Sequence, residues 1–261
     1  MKIDFWVGLV AAAATAGFAG AVAAQCRATS AKQQVAVFEL YTSEGCDSCP
    51  PADRWFSELG RSADPSKVVA LAFHVDYWDR LGWRDRFGSP TYTARQRDQA
   101  NRHRSPFVYT PQVLLQGEDL AAWRASGQPA NLVSAINARP ARAKIELTAT
   151  PAEANATSVD VRVRVPDPAD RAHAAIALAL VQDGLASDVK AGENAGKHLA
   201  HDHVVRQWRT EAARFGAADE ASDRVAFSLP SDSGPLSIVA LVEDESTGKV
   251  LQAMSIALCA R

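Results

Sequence analysis

Cys46-Asp47-Ser48-Cys49 sets two thiols three positions apart. That spacing suits thiol–disulfide exchange when the pair stands between a strand and a helix. The flanks meet the condition. Val35–Leu40 is a short apolar run that reads as a buried strand. Pro50–Leu59 carries Ala52, Trp55, Phe56 and Leu59 at helical spacing and stops at Gly60. Cys46 then lies at a helix N-terminus, where unpaired N–H groups and the helix dipole favour a thiolate. Thiolate is the attacking species in disulfide exchange. Cys49 can attack the resulting mixed disulfide and release the partner, so the expected cofactor is none beyond the Cys46–Cys49 couple itself. Two other uses stay open. A purely structural disulfide gains little from so short a loop. A zinc site wants four ligands, and the sequence holds no second close Cys pair.

Tyr109-Thr110-Pro111-Gln112 leads into a short apolar strand. In thioredoxin folds a cis-proline at this topological position lies against the disulfide, and the backbone of the preceding residue pairs with substrate. Pro111 and Thr110 would take those roles. Asp47 sits inside the motif, and its carboxylate would disfavour the Cys46 thiolate. A milder oxidant than a dithiol with a cationic dipeptide is expected. Glu44 is a proton relay or a strand-end surface charge. His74 and Asp76 share a face at strand spacing, and with Trp78 they form a second group near the site. That group is a proton acceptor, a metal half-site or a scaffold for the Trp78/Trp83 loop. Residues 80–104 hold seven Arg and two Asp, a face for solvent or for an acidic partner. His201 and His203 would share a face if 201–206 form a strand, which makes them weak metal candidates. The Gly-rich segment around them is expected to pack against the redox domain and line its groove.

The run Phe38–Asp53, the segment His74-Val75-Asp76-Tyr77-Trp78-Asp79 with Leu81-Gly82-Trp83, Tyr109-Thr110-Pro111-Gln112 and Gly192-Glu193-Asn194 together resemble a secreted bacterial family catalogued as domain of unknown function 1223. The resemblance spans most of the chain after its leader. It implies export and a thioredoxin-like domain, and leaves substrate and direction of electron flow unassigned.

The elements that must position these residues fall into three parts. Met1-Lys2, the apolar stretch from Phe5 and the small-residue run Ala21–Ala24 read as a secretory signal over 1–24. An uncleaved anchor is the rival. Periplasmic or secreted localisation follows, without stable membrane insertion once the signal is cleaved. Strands alternating with helices predict an α/β thioredoxin-like domain over 33–140. Period-two alternation in Lys144–Thr148 and Val159–Val165, then strand candidates at Ala174–Val181, Arg224–Leu229, Ser237–Val242 and Val250–Leu258, predict an all-β sandwich-like domain over 141–261. Thr91–Arg104 reads as a solvent-facing helix.

With Cys46 and Cys49 paired, Cys26 and Cys259 have only each other, and a structural disulfide between them is expected in an oxidising compartment. The composition excludes several classes. At 47% hydrophobic residues and net charge −2 the chain is neither disordered nor a basic nucleic-acid binder. Four Cys in 261 residues are too sparse for a small disulfide scaffold. The expected activity is that of an exported thiol–disulfide oxidoreductase acting on a thiol or disulfide protein partner. The alternatives are a non-enzymatic binding or assembly protein with a structural disulfide, or a copper-handling chaperone using Cys46, Cys49 and His74.

Overall fold

The computed structural model describes residues 25–125, 127–152, 155–212, 215, 219–232 and 234–259; the expected signal segment, 1–24, lies outside them. The chain opens with β1 (Cys26–Thr29) and β2 (Ala36–Thr42), then α1 (Pro50–Ser62) and β3 (Val68–His74). A short 3-10 turn (Asp79–Leu81) leads to α2 (Pro90–Arg102), β4 (Gln112–Leu115), β5 (Glu118–Asp119) and α3 (Gln128–Asn137). There follow β6 (Lys144–Ala152), β7 (Ala156–Arg164), α4 (Pro168–Arg171), β8 (Ala174–Gln182), β9 (Leu185–Asp188) and β10 (His198–His201). The last strands are β11 (Val204–Ala212), β12 (Glu220–Ser228), β13 (Leu236–Asp244) and β14 (Val250–Ala257).

This architecture corrects the expected fold class, an α/β thioredoxin-like domain followed by an all-β sandwich-like domain. The described residues are 42% strand and 19% helix, in large mixed sheets. Strands from both sides of Arg139-Pro140-Ala141 share one eight-stranded sheet, ordered β14-β13-β8-β11-β3-β2-β4-β5. The physical reason lies in β8. Its nine residues are all buried, because a central strand covered on both faces has no solvent side and reads as a continuous apolar run. Such a strand belongs in the middle of a large sheet, not in a sandwich of its own. The seam between the two halves is narrow. β11 runs parallel to β3 through the single partner pair Val204↔Ala72, and Ala72 N–H donates to the His203 carbonyl at 2.8 Å.

Side chains alternate across the sheet and define its layers. Val37, Tyr41, Leu71 and Phe73 pack with Ala177, Val181, Val239 and Leu241 into one core that spans both halves. On the opposite face, Phe38, Leu40 and Val113 meet Ala52 and Phe56 of α1 and Ile136 of α3. Further along that face, Ile176, Leu178, Ile238 and Ala240 meet Ile145, Leu147, Val161 and Val163. Those last four come from a second, four-stranded antiparallel sheet, ordered β1-β6-β7-β12.

α2 is not the solvent-facing helix its composition suggests. Tyr92, Thr93, Arg95, Gln96, Gln99 and Ala100 are all buried. Arg95 makes a bidentate pair with Glu39 of β2 (2.9 and 2.7 Å) and reaches Glu243 of β13 at 2.6 Å. Its guanidinium lies 4.3 Å from the centroid of the Trp208 ring. Of the seven arginines in 80–104, Arg95 is thus spent inside the fold, and Arg86 pairs with Asp232.

The Cys26–Cys259 disulfide joins β1 to the chain just after β14, with Cα atoms 5.7 Å apart. In the chain-entropy account, closing so long a loop contributes about 4–5 kcal/mol.

Candidate functional site

Cys46 and Cys49 form a disulfide, with Cα atoms 5.4 Å apart. The helix begins at Pro50, where the sequence places it. Cys49 is its N-cap residue, and Pro50 and Pro51 fill its first two positions. Proline is favoured there because its fixed φ suits the first turn and its missing N–H would go unpaired anyway. The chemical consequence is a helix start poor in donors. Two of its first N–H groups do not exist, and those of Ala52 and Asp53 are bonded to the Cys49 carbonyl (2.8 and 3.1 Å). The Ser48 hydroxyl, 3.4 Å from the Cys46 sulfur, is the polar neighbour of that sulfur among the described residues.

Both cysteines are 0% exposed. One wall is the Trp78 loop. A Cβ on Gly45 would lie 2.9 Å from the Trp78 Cβ, so only glycine lets the two segments meet. The Trp78 indole N–H donates to Thr110 Oγ1 at 2.8 Å, which ties the Thr110-Pro111 segment to the same wall. The Thr110–Pro111 bond is cis. The other wall comes from the second half of the chain. Asn194 is 0% exposed, and its amide donates to the carbonyls of both Glu44 and Cys46 at 2.8 Å. Asp47, on the surface, gives its N–H to the Glu193 carboxylate at 3.2 Å.

Glu44, two residues before Cys46, opens a chain of buried titratable groups. Glu44 is fully buried, not a strand-end surface charge. Its Oε2 accepts the Trp83 indole N–H at 2.8 Å, and its Oε1 lies 3.3 Å from His201 Nε2. Burial pushes the Glu44 carboxyl up, but His201 and the Trp83 donor outweigh it and hold it below the ordinary value.

His74 and His201 meet at 4.9 Å between ring centroids. His74 Nδ1 lies 2.7 Å from Asp85 Oδ2. Burial pulls the imidazole down, and the Asp85 carboxylate more than restores it, so His74 titrates above its usual range. Asp85 is pushed up by burial and brought below normal by His74 and by the N–H groups of Glu44 and Phe87. The partner expected for His74 was Asp76. That residue lies past the end of β3 and instead accepts from Thr93 Oγ1 at 2.6 Å.

Asp53 completes the group. It follows Cys49 by one helical turn, on the same face of α1, and accepts the Thr42 hydroxyl at 2.7 Å. Burial raises its carboxyl above the ordinary value, partly opposed by His201 and His74. The unfolded chain loses this proton first, so Asp53 costs stability as pH rises from its unfolded value through its folded one. Asp53→Asn is therefore expected to raise the unfolding free energy at pH 8 and leave it unchanged at pH 3, measured by urea titration. Equal effects at both pH values would refute the assignment.

His203 goes elsewhere. It packs its ring edge-on to Phe56 and lies 3.1 Å from Asp183, so it does not share a site with His201. Among the described residues no group of three or more His, Cys, Asp or Glu side chains is arranged to hold a metal ion. Sequence alone did not point to Asp53 or Asp85. Asp53 carried a readable signal, its i+4 spacing from Cys49. Asp85 carried none.

A family described as a protein of unknown function (DUF1223) matches residues 37–243. No curated protein matches. Among solved structures, a protein from Agrobacterium tumefaciens is similar at a TM-score of 0.55 and 22% identity, over 87% of this chain and 96% of that one. HBP35 of Porphyromonas gingivalis is similar at a TM-score of 0.65 and 15% identity, over 88% of this chain and 76% of that one. At these identities the likeness is one of fold.

Proposed function

The chain belongs to the DUF1223 family of proteins of unknown function, and from that starting point we propose that it is an exported thiol–disulfide oxidoreductase working through Cys46–Cys49. One observation carries the reading: the buried titratable chain that starts at Glu44, two residues before Cys46. Glu44 Oε1 and His201 Nε2 face each other at 3.3 Å, and His74 Nε2 is buried without a hydrogen-bond partner among the described residues. An unsatisfied buried atom of that kind costs about 1–3 kcal/mol. A disulfide kept only as a staple needs none of these groups, whereas a couple that releases and takes up protons does. Buried titratable groups that shift one another beside a cysteine pair mark a candidate site for chemistry.

In the reducing direction the Cys46 thiolate attacks a substrate disulfide. A Cys46–substrate S–S bond forms, the substrate S–S bond breaks, and the departing sulfur takes a proton from water. Cys49 passes its proton to Asp53 and attacks the Cys46 sulfur. That step restores the Cys46–Cys49 bond and releases the substrate as a dithiol, with two electrons transferred. The same steps reversed oxidise a dithiol. Thr110 and Pro111, fixed by Trp78, present the backbone against which an extended substrate segment rests. Export is supported by the leader-like start of the chain and by two disulfides, which persist in oxidising compartments. No helix among the described residues is long and apolar enough to cross a membrane.

The rival reading, a purely structural disulfide, draws on the complete burial of both cysteines. The reduction potential separates the two. Donor-poor surroundings and the Asp47 carboxylate destabilise a Cys46 thiolate, so the couple is expected near about −270 mV, the thioredoxin range. Equilibration with thiol redox buffers, read by alkylation and mass, gives the value. A potential below about −300 mV, where structural disulfides lie, would sink the proposal.

A further inference from the structure

β9 and β10 form an antiparallel hairpin whose last partner pair is Asp188↔His198. The chain spends nine residues, 189–197, on a connection that about two can make. Hairpin loops usually take about two to five residues, so this one is longer than the connection needs. This one is folded on itself. Val189 N–H donates to the Lys197 carbonyl at 3.0 Å, Gly196 N–H to the Val189 carbonyl at 2.9 Å and Ala195 N–H to the Gly192 carbonyl at 3.2 Å. Lys197 Nζ donates to Asn194 Oδ1 at 2.7 Å. It is thus a preformed unit between two glycines at positive φ, Gly192 (+73°) and Gly196 (+83°). Gly192 presses on the Trp83 segment, where an added Cβ would come within 3.2 Å of the Trp83 Cβ.

What holds this unit to the disulfide is slight. Two bonds run from one side chain, Asn194, to the carbonyls of Glu44 and Cys46, and one runs from the Asp47 N–H to Glu193. All three acceptors or donors on the Cys46 side are backbone groups that water can satisfy when the loop lifts. The apolar core does not pass through these contacts. The structure therefore offers a segment that can leave without unfolding what lies beneath it, beside two cysteines that are fully buried while it is in place.

We propose that loop 189–197 is a lid that gates access to Cys46–Cys49, with Asn194 as its latch. The proposal rests on the redox reading, since a lid matters only over a couple that reacts. Closed, it keeps small thiols from the disulfide. Open, it exposes the Cys46 sulfur beside the Thr110-Pro111 segment, and the exposed Phe107, three residues before Thr110, offers a polypeptide its footing.

The test uses the full-length protein with both disulfides formed. In one variant Asn-Gly replaces Lys190–Gly196, which keeps the Val189–Lys197 pair and closes the hairpin with a two-residue turn. Dithiothreitol reduces Cys46–Cys49 to two thiols while itself becoming a cyclic disulfide, and timed alkylation with peptide mass mapping gives the rate. The shortened chain is expected to be reduced at least tenfold faster than wild type, with the rate at Cys26–Cys259 unchanged as internal control. Rates within twofold of each other would overturn the lid. If the shortened chain loses its native near-ultraviolet circular dichroism, Asn194→Ala carries the test, with a gain of threefold or more expected and none overturning the proposal. A wild type with a structural-range potential and no turnover would defeat the redox reading while leaving the rate difference in place. Equal rates in a redox-competent protein would defeat the lid alone.

Discussion

Replacing Cys46 by serine is expected to bring thiol–disulfide turnover down to the uncatalysed background while leaving the fold intact. The activity loss follows from the proposed chemistry, because without the Cys46 sulfur no mixed disulfide forms. The stability loss is small because the bond closes a loop only three residues wide, worth about 2 kcal/mol in the chain-entropy account. Cys49→Ser should behave differently. Its Cys46 can still attack but nothing resolves the product, so it should accumulate a mixed disulfide with a disulfide-bearing substrate. Insulin reduction followed by turbidity checks the first variant, and non-reducing electrophoresis the second. If wild type and Cys46→Ser turn over insulin alike, the enzyme reading fails. If Cys46→Ser instead unfolds the protein, the disulfide is structural.

Arg95→Met is expected to destabilise the protein by about 3–5 kcal/mol, the cost of stranding a buried charge. Here two carboxylates are stranded at once. Glu39 and Glu243 are 0% and 6% exposed, and Arg95 is the cation that both share. Tyr41 OH, which donates to Glu39 at 2.7 Å, would be the partner left on that carboxyl among the described residues. The three charged residues come from α2, β2 and β13, so the loss should loosen the joint between the two halves of the sheet. The deficit should largely vanish when Glu39→Gln and Glu243→Gln are added, because the stranded carboxylates are then gone. Urea unfolding at pH 8 measures both. A loss below 1 kcal/mol at pH 8 would show that water reaches the cluster.

The parts of the site legible in the sequence are those fixed by neighbours along the chain. Cys46 and Cys49 lie between an apolar run and a helical repeat, and both elements form where the pattern places them, at β2 and α1. Asp53 belongs to the same class, since helical spacing alone puts it on the Cys49 face. The misreadings share another cause. Period-two alternation reports that a strand has one buried face, but not which sheet it joins. Ala174–Val181 is apolar at every position and so asked for cover on both faces, which a separate sandwich does not supply. Arg95 was counted with a solvated helix face because its partners lie 56 and 148 residues away. A charge looks exposed until its counter-charges are placed.

By itself, then, the sequence determined the closely spaced cysteine pair, the local strand–loop–helix that carries it, most of the strands and the expected pairing of the outer cysteines. Propensity, periodicity and cysteine arithmetic act over short ranges or by elimination, and needed no coordinates. Only the tertiary structure decided what surrounds the pair. The β3–β11 seam brings His74 and His201 together. The turn after Trp83 brings Asp85 under His74, and the β9–β10 hairpin carries Asn194 onto Cys46. The His74–His201 and Asn194–Cys46 contacts join segments more than a hundred residues apart, and their free energy exists only once the sheet has closed.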